Sequence, residues 1–175
     1  LDEMVPYDND MSIAKPMLDH LKVSFYKIVN NLGPHGLPLA MRADWNDCIN
    51  LSCFSDTPGE SFQTYTNPKF AAEGGYSKVA ESVMVATLFT YAGPNYVAIL
   101  KHLGMDADAA QAEIDKMKAN IMESAWDGDW FLRAYDANGE KMGSKECEEG
   151  QIFIEPQGFA IMSDIGKDQG CDKKT

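Results

Sequence analysis

The fold of this chain is limited most by a long segment that is apolar on nearly every side. Between Ser77 and Leu103 the sequence contains closely spaced aliphatic and aromatic residues and few charges. A helix with apolar side chains on most of its faces has to be buried among other elements. We therefore predict a largely buried helix over residues 77–103. Gly93 and Pro94 lie in its middle and should break or kink it, because proline cannot donate the helical hydrogen bond.

Two amphipathic helices are predicted on either side of this segment. The first has Pro16 in its first turn and stops at residues 33–36, and its apolar residues recur at steps of three and four: Leu18, Leu21, Phe25, Ile28 and Leu32. The second follows Gly104 and ends near Ala125, and its predicted buried face consists of Ala110, Ile114, Met117 and Ile121. Each helix therefore offers one apolar face for packing.

A short β-hairpin is predicted near residues 130–144. Trp130–Tyr135 is rich in residues that favour strands, and the four residues after it, Asp-Ala-Asn-Gly, form a turn sequence. The chain is expected to return through Lys141 to Ser144. A fourth helix is predicted near residues 157–164, and the last ten residues, which are polar, are expected to fray.

These elements make the chain mainly α, with three or four helices joined by long connections. The stretch from Leu37 to about Gly75 is irregular by pattern, and loops of this length inside a compact domain are often functional. Helices joined by long loops suit a toroid of paired helices, in which the loops at one rim build the site. Four helices cannot close such a ring, so the predicted fold is one part of an α/α toroid.

The charge of the chain argues against two classes of partner. The formal net charge is −12, with 27 acidic and 15 basic residues. A nucleic-acid-binding protein normally carries a basic face, and an anionic membrane surface would repel this chain. We therefore expect neither nucleic acid nor membrane as a partner, and we expect no apolar run long enough to span a bilayer.

The cysteines do not predict a metal centre. Cys48 and Cys53 stand five positions apart, which is not the spacing of a zinc site, and no histidine cluster accompanies them. A chain of this size and apolar content does not need disulfides to fold. We expect the four cysteines to be free thiols in a reducing cytoplasm.

The segment from Gly36 to Asp47, GLPLAMRADWND, carries the most chemical information. Asp44 and Asp47 flank Trp45 and an asparagine in a stretch that is neither helix nor strand by pattern. Carboxylic acids are the usual proton donors in the cleavage of glycosidic bonds, and an indole offers a flat face to a sugar ring. The segment therefore indicates a sugar subsite formed by Trp45 with Asp44. The alternative is that Trp45 fills the core and both aspartates form turns or helix caps.

Two further clusters contain several acidic residues. Residues 143–150, GSKECEEG, contain three glutamates, and residues 126–130, WDGDW, join two tryptophans to two aspartates. Runs of charge more often mark a solvated surface, and Asp-Gly sequences with flanking aromatics are common in turns. Both clusters are therefore interpreted first as structural and only second as parts of a site.

At these motifs the sequence resembles the cellobiose phosphorylases, in a family that also holds the cellodextrin and chitobiose phosphorylases. The resemblance is carried by ordered blocks that cover nearly the whole chain: GPHGLPLAMRADWNDCINL, CFSDTPGESFQT, KVAESVMVATLF, WDGDWFLRAYDANGEKMGSKECEEGQIFIEPQGF and IMSDIG. Cys48 and the sequence ECEEG resemble the cellobiose enzymes more than the chitobiose enzymes.

The resemblance implies a fold, a reaction and two residue roles. Residues 1–175 would form part of an (α/α)6 catalytic domain, and the N-terminal β-sandwich, the first barrel helices and the C-terminal part of the family would be absent. Asp47 would be the general acid and Trp45 would line the donor-sugar subsite. Inorganic phosphate would attack cellobiose with inversion and yield α-glucose 1-phosphate and glucose, without a cofactor. The full-length protein would be a cytoplasmic homodimer.

Two other functions remain open at this point. An inverting glucosidase on the same scaffold would use Asp47 as acid and Glu148 or Glu149 as base, since hydrolysis needs a base for water. A non-catalytic carbohydrate-binding chain would use Trp45 and Trp130 as stacking platforms and would not need Asp47.

Overall fold

A computed structural model describes residues 12–40, 44, 49, 51 and 79–175. In chain order its elements are α1 (Ala14–Val29), β1 (Glu81–Ser82), α2 (Val83–His102), α3 (Asp108–Ser124), β2 (Ala134–Tyr135), β3 (Lys141–Met142), α4 (Ile154–Met162) and two 3-10 helices (Lys167–Gln169 and Cys171–Lys173). The described residues are thus mainly helical with a small antiparallel sheet. This confirms the predicted fold class, including the hairpin within residues 130–144.

Helix α2 lies at the centre and packs against α1, α3 and α4. It begins at Val83, later than predicted, because Ser82 belongs to a strand and its side chain accepts a hydrogen bond from the amide of Val85 at 3.1 Å. The helix continues through Pro94, so of the two predicted effects the break is wrong, while the kink stays a prediction. Gly93 lets Ile114 of α3 approach so closely that a Cβ there would lie 3.0 Å from its side chain. Tertiary packing of this kind outweighs the local cost of proline.

The length of α2 also corrects one expectation. An 18-residue window of this helix has a mean hydropathy of 1.4, so α2 is long and apolar enough to cross a membrane by length and composition alone. The expectation that no apolar run would reach that length is therefore wrong. In the structure 61% of the window is buried inside the protein, and the core helix of a globular protein has the same properties.

The two flanking helices present the faces that their periodicity predicts. All four residues of the predicted face of α3 are buried: Ala110, Ile114, Met117 and Ile121. On α1, Phe25 is buried and packs against Phe89 of α2 with 4.8 Å between ring centroids. The other stripe residues are partly buried against the same core: Leu18, Leu21 and Ile28 on the helix, and Leu32, which lies past its end at Val29.

The sheet joins a segment before α2 to the predicted hairpin. β2 lies between β1 and β3, and both pairings are antiparallel, with Glu81 opposite Tyr135 and Ser82 opposite Ala134. In the turn of the hairpin, the Asp136 carboxylate accepts hydrogen bonds from two backbone amides of the turn, both at 2.8 Å. β1 was not predicted, because a two-residue strand inside an apolar run leaves no periodic signal.

The C-terminal part is more ordered than its composition predicts. α4 begins at Ile154, and Cys171 at the start of the last 3-10 helix is only 2% exposed, so the expectation of a frayed end is wrong. Gly166 and Gly170, with φ of 64° and 75°, turn the chain back on itself. Cys171 is a free thiol whose pKa is raised by burial, and Cys147 is also free.

Gly143 offers a test of how tightly the hairpin packs. Its φ is +76°, and a Cβ there would lie 2.7 Å from the backbone nitrogen of Arg133, whereas Gly104 has a φ of +69° and nothing within 4 Å. A left-handed backbone costs a non-glycine residue about 1–2 kcal/mol at either position. The overlap with backbone at Gly143 should add about 1–3 kcal/mol.

We therefore expect Gly143→Ala to lower the free energy of unfolding by about 3 kcal/mol and Gly104→Ala by about 1 kcal/mol. Urea denaturation of the two variants beside the parent protein measures the difference. Equal losses at the two glycines would show that the hairpin relaxes around the added methyl group.

Candidate active site

A buried carboxylate holds the loop at residues 35–37, which precedes the motif of residues 44–47. Glu81 of β1 is 0% exposed, and its Oε1 accepts hydrogen bonds from the amides of His35 at 3.1 Å and Leu37 at 3.0 Å. Its Oε2 lies 2.6 Å from Nδ1 of the His35 ring. A carboxylate can be buried only where such donors replace water. Glu81 therefore fixes both the backbone and the imidazole of this loop.

Two glycines make this close approach sterically possible. A Cβ at Gly33 would lie 2.5 Å from the Glu81 side chain, so only glycine leaves room for the carboxylate. Gly36 has a φ of +71°, and its carbonyl accepts a hydrogen bond from the Asn120 side chain of α3 at 2.9 Å. These glycines thus shape the loop around Glu81, beyond ending the preceding helix.

Asp44, the first residue of the Asp-Trp-Asn-Asp motif, is held by an ion pair. Arg133 donates from Nη1 to Asp44 Oδ2 at 2.6 Å and from Nη2 to Asp44 Oδ1 at 2.8 Å. Ser82 Oγ donates to Asp44 Oδ2 at 2.8 Å. The side chains of Arg133 and Asp44 are 0% and 1% exposed. This two-pronged contact fixes both the position and the plane of the Asp44 carboxylate.

Of the three predicted site residues, the structure places only Asp44. Trp45 and Asp47 lie outside the described residues, and their stacking and proton-donating roles stay predictions. The carboxylate of Asp44 is engaged by Arg133 and Ser82, and its predicted contact with substrate is likewise untested.

Beside the loop, the described residues line two adjoining hollows. The His35 ring stacks on Tyr135 with 3.9 Å between centroids, and both rings, together with Lys141, face both hollows. Their volumes are about 550 and 510 Å³, a size typical of small-molecule sites. Within the described part of the chain no three His, Cys, Asp or Glu side chains converge as metal ligands would.

Tyr135 connects the hollows to α3. Its hydroxyl donates to the carbonyl oxygen of Ser124. Burial raises the pKa of the Tyr135 phenol above its ordinary value; Lys141 lowers it in part, and Glu81 is among the acids that raise it. The phenol therefore stays protonated and remains a donor, which keeps the ring in place under His35.

The two other acidic clusters have structural roles where the structure describes them. Asp127 accepts hydrogen bonds from Ser144 Oγ at 3.0 Å and from the Lys145 amide at 2.8 Å, and Trp130 donates from its indole to the Gly143 carbonyl at 3.0 Å. Among the glutamates, Glu146 lies 3.2 Å from Lys141, and the two that follow Cys147 are exposed. These observations favour the structural interpretation of both clusters.

Glu81 and Arg133 were not predicted from the sequence as residues of the site. Both stand as single charges within apolar runs, AESV and FLRAY, and charged residues are almost never fully buried unless they are paired. That signal could have marked both as members of buried pairs. It could not have named their partners, which lie 46 and 89 positions away along the chain.

The sequence matches the family described as "Glycosyl hydrolase 94 superfamily, catalytic domain" over residues 1–174. It is 28% identical over 174 residues to the N,N'-diacetylchitobiose phosphorylase of Vibrio proteolyticus, across 96% of this chain and 18% of that protein. It is also 28% identical over 167 residues to the solabiose phosphorylase of Paenibacillus borealis, across 95% of this chain and 19% of that protein.

A shorter stretch of 59 residues is 36% identical to the cellobionic acid phosphorylase of Neurospora crassa, across 34% of this chain and 8% of that protein. The chain spans about a fifth of the length of the first two relatives.

Proposed function

Because this chain belongs to the glycosyl hydrolase 94 superfamily, whose catalytic domain it matches over residues 1–174, we propose that it forms part of a disaccharide phosphorylase. The catalytic domain of this family is an (α/α)6 barrel, and the helices described above contribute part of it. The observation that carries the proposal is that curated relatives aligned over nearly the whole chain are named phosphorylases of disaccharides. Asp47 is the general acid of the proposed reaction.

A single carboxylic acid suffices for this reaction. An inverting hydrolase needs one acid for the leaving oxygen and one base for the attacking water. Inorganic phosphate is already an anion, so it attacks C1 of the donor sugar without a base. The bond from C1 to the bridging oxygen breaks as Asp47 transfers its proton to that oxygen. The products are a sugar 1-phosphate of inverted configuration and the free acceptor sugar.

The described contacts hold the chain that leads up to Asp47 at two places. Asp44 is tied to Arg133 and Ser82, and Asp47 follows three residues later, within about 11 Å even for extended chain. The preceding residues 35–37 are tied to Glu81 in the same strand as Ser82. The segment is therefore anchored before the motif and at its first residue, as precise proton transfer requires.

Cellobiose is the substrate that we propose within this class. The support comes from Cys48 and the ECEEG sequence, in which the chain resembles the cellobiose enzymes. The relatives are named for different disaccharides, among them N,N'-diacetylchitobiose and solabiose. A panel of these disaccharides, each assayed with phosphate, ranks them by kcat/KM, and a higher value for any other than cellobiose would overturn this choice.

Dependence on phosphate separates the phosphorylase from the two alternatives. With the full-length protein and cellobiose, we expect α-glucose 1-phosphate and glucose in equal amounts. The rate should rise with phosphate concentration and fall by more than about 100-fold in phosphate-free buffer, because water lacks a base. Chromatography of the products over time, with and without phosphate, provides the measurement.

Release of two glucose molecules per cellobiose in phosphate-free buffer would instead identify a hydrolase. Its proposed bases, Glu148 and Glu149, are both exposed, which does not favour that reading. Binding of cellobiose without any product, unchanged in Asp47→Asn, would identify the non-catalytic alternative.

The remaining parts of the proposal concern the protein as a whole. We propose that it needs no cofactor, since the reaction uses only phosphate and a proton donor. A cytoplasmic location agrees with the free thiols of Cys147 and Cys171. A homodimer and the additional domains follow only from the resemblance of the sequence.

A further inference from the structure

We propose that Arg133 is a positioning residue for the proton transfer, and that it acts on Asp47 through Asp44. The inference rests on the proposed function of Asp47 and adds a residue to it. Arg133 does not need to touch the substrate, because its guanidinium group is already engaged with the Asp44 carboxylate by two hydrogen bonds of 2.6 and 2.8 Å.

Arg133 is itself rigidly held. Its backbone amide donates to the Met142 carbonyl at 2.8 Å, and its carbonyl accepts from the Val83 amide at 3.3 Å. Gly143 lies against its backbone and Cβ, at distances that only glycine allows. The side chain is fully buried. The guanidinium group therefore projects from a fixed point between β1 and β3.

The contact between Arg133 and Asp44 fixes direction as well as distance. A planar guanidinium that meets both oxygens of a carboxylate sets the plane of that carboxylate, and Ser82 adds a third hydrogen bond to it. A lysine ammonium at the same position would be a point charge and could not set this plane. The contact is thus suited to orienting the residues that follow Asp44.

A buried ion pair of this kind is poorly suited to serve stability alone. Replacing such a pair with apolar residues of similar volume is often neutral or stabilising. The pair joins positions 44 and 133, which lie 89 residues apart, and it does so at the first residue of the motif that ends at Asp47. A general acid displaced by about 1 Å can lose about 100-fold in rate. By preventing such a displacement of Asp47, the ion pair would serve catalysis.

The experiment compares Arg133→Lys with the double variant Arg133→Met/Asp44→Leu in the full-length protein. We expect Arg133→Lys to lower kcat for phosphorolysis by about 10–100-fold, with KM changed less than about threefold. The double variant replaces the pair with apolar groups, so it should keep or regain thermal stability. Its kcat should nevertheless stay at least about tenfold below that of the parent, because Arg133 no longer fixes the first residue of the motif.

Lys167→Met is the matched control. It also removes a cation from an ion pair, but the pair with Asp164 is exposed, with 60% and 65% of the two side chains accessible. We expect its kcat to be unchanged. Rates of all variants are expressed per folded protein, from near-ultraviolet circular dichroism, so that partial unfolding is not counted as a catalytic loss.

Two results would overturn the inference. One is a folded double variant whose kcat lies within about threefold of the parent value; the pair would then not position the general acid. The other is a double variant in which KM rises as much as kcat falls, which would assign Asp44 to substrate binding. Failure of the proposed function would be seen separately, as an Asp47→Asn variant that keeps its activity. The rates of the Arg133 and Asp44 variants do not decide that question.

Discussion

Asp47→Asn is expected to lower kcat for phosphorolysis by about 1,000-fold or more, which is within the range that general acid catalysis contributes. The amide has nearly the shape of the carboxyl group, so binding of the disaccharide should change little. It cannot give a proton to the bridging oxygen, so the leaving sugar would depart as an alkoxide. The initial rate of sugar 1-phosphate formation at saturating phosphate measures the loss.

A matched control is available at an aspartate far from the motif in sequence. Asp106 is exposed, and its Oδ1 accepts a hydrogen bond from the Asp108 amide at 2.9 Å, which an asparagine oxygen can also do. Asp106→Asn should therefore keep full activity. Turnover by Asp47→Asn near the parent rate would remove Asp47 from the mechanism, and with it the reaction proposed for this chain.

Glu81→Leu is expected to cause the largest loss of stability among single substitutions in the site. The leucine would leave the buried amide of Leu37 and the part-buried amide of His35 without their acceptor, and each unsatisfied donor costs about 1–3 kcal/mol. We expect the free energy of unfolding to fall by about 4 kcal/mol in all. Glu81→Gln keeps one acceptor oxygen and should lose about half as much. Urea denaturation measures both.

Glu123→Leu serves as the control for the stability measurement. Glu123 lies on α3 and is exposed, so the same change of side chain there should alter the free energy of unfolding by less than about 0.5 kcal/mol. If Glu81→Leu were no more destabilising than Glu123→Leu, the carboxylate would not be what holds the loop against β1.

The sequence predicted the elements whose signals are local. The faces of α1 and α3 follow from side chains three and four positions apart, and the hairpin follows from a turn sequence between two short segments. The motif that ends at Asp47 and the blocks around it identified the family, which the match over residues 1–174 confirms. Residue patterns sufficed for these conclusions because the relevant neighbours are close in sequence.

The wrong predictions share a physical cause. Pro94 was expected to break or kink α2, and the last ten residues were expected to fray, because both expectations weighed only local preference. In the structure α2 packs on three other helices, and Cys171 is buried at the chain end. Burial of apolar surface contributes about 25 cal/mol per Å², which over such contacts exceeds the cost of one missing hydrogen bond.

By itself, the sequence determined that the chain is mainly helical, which residues face the core, and which motif carries the proposed chemistry. Only the tertiary structure decided that Glu81 holds His35 and Leu37, and that Arg133 holds Asp44. The physical reason is the range of the interactions. Helix periodicity depends on residues a few positions apart. Glu81 and Arg133, by contrast, contact their partners only after the packing of α2 has brought distant segments to the same small sheet.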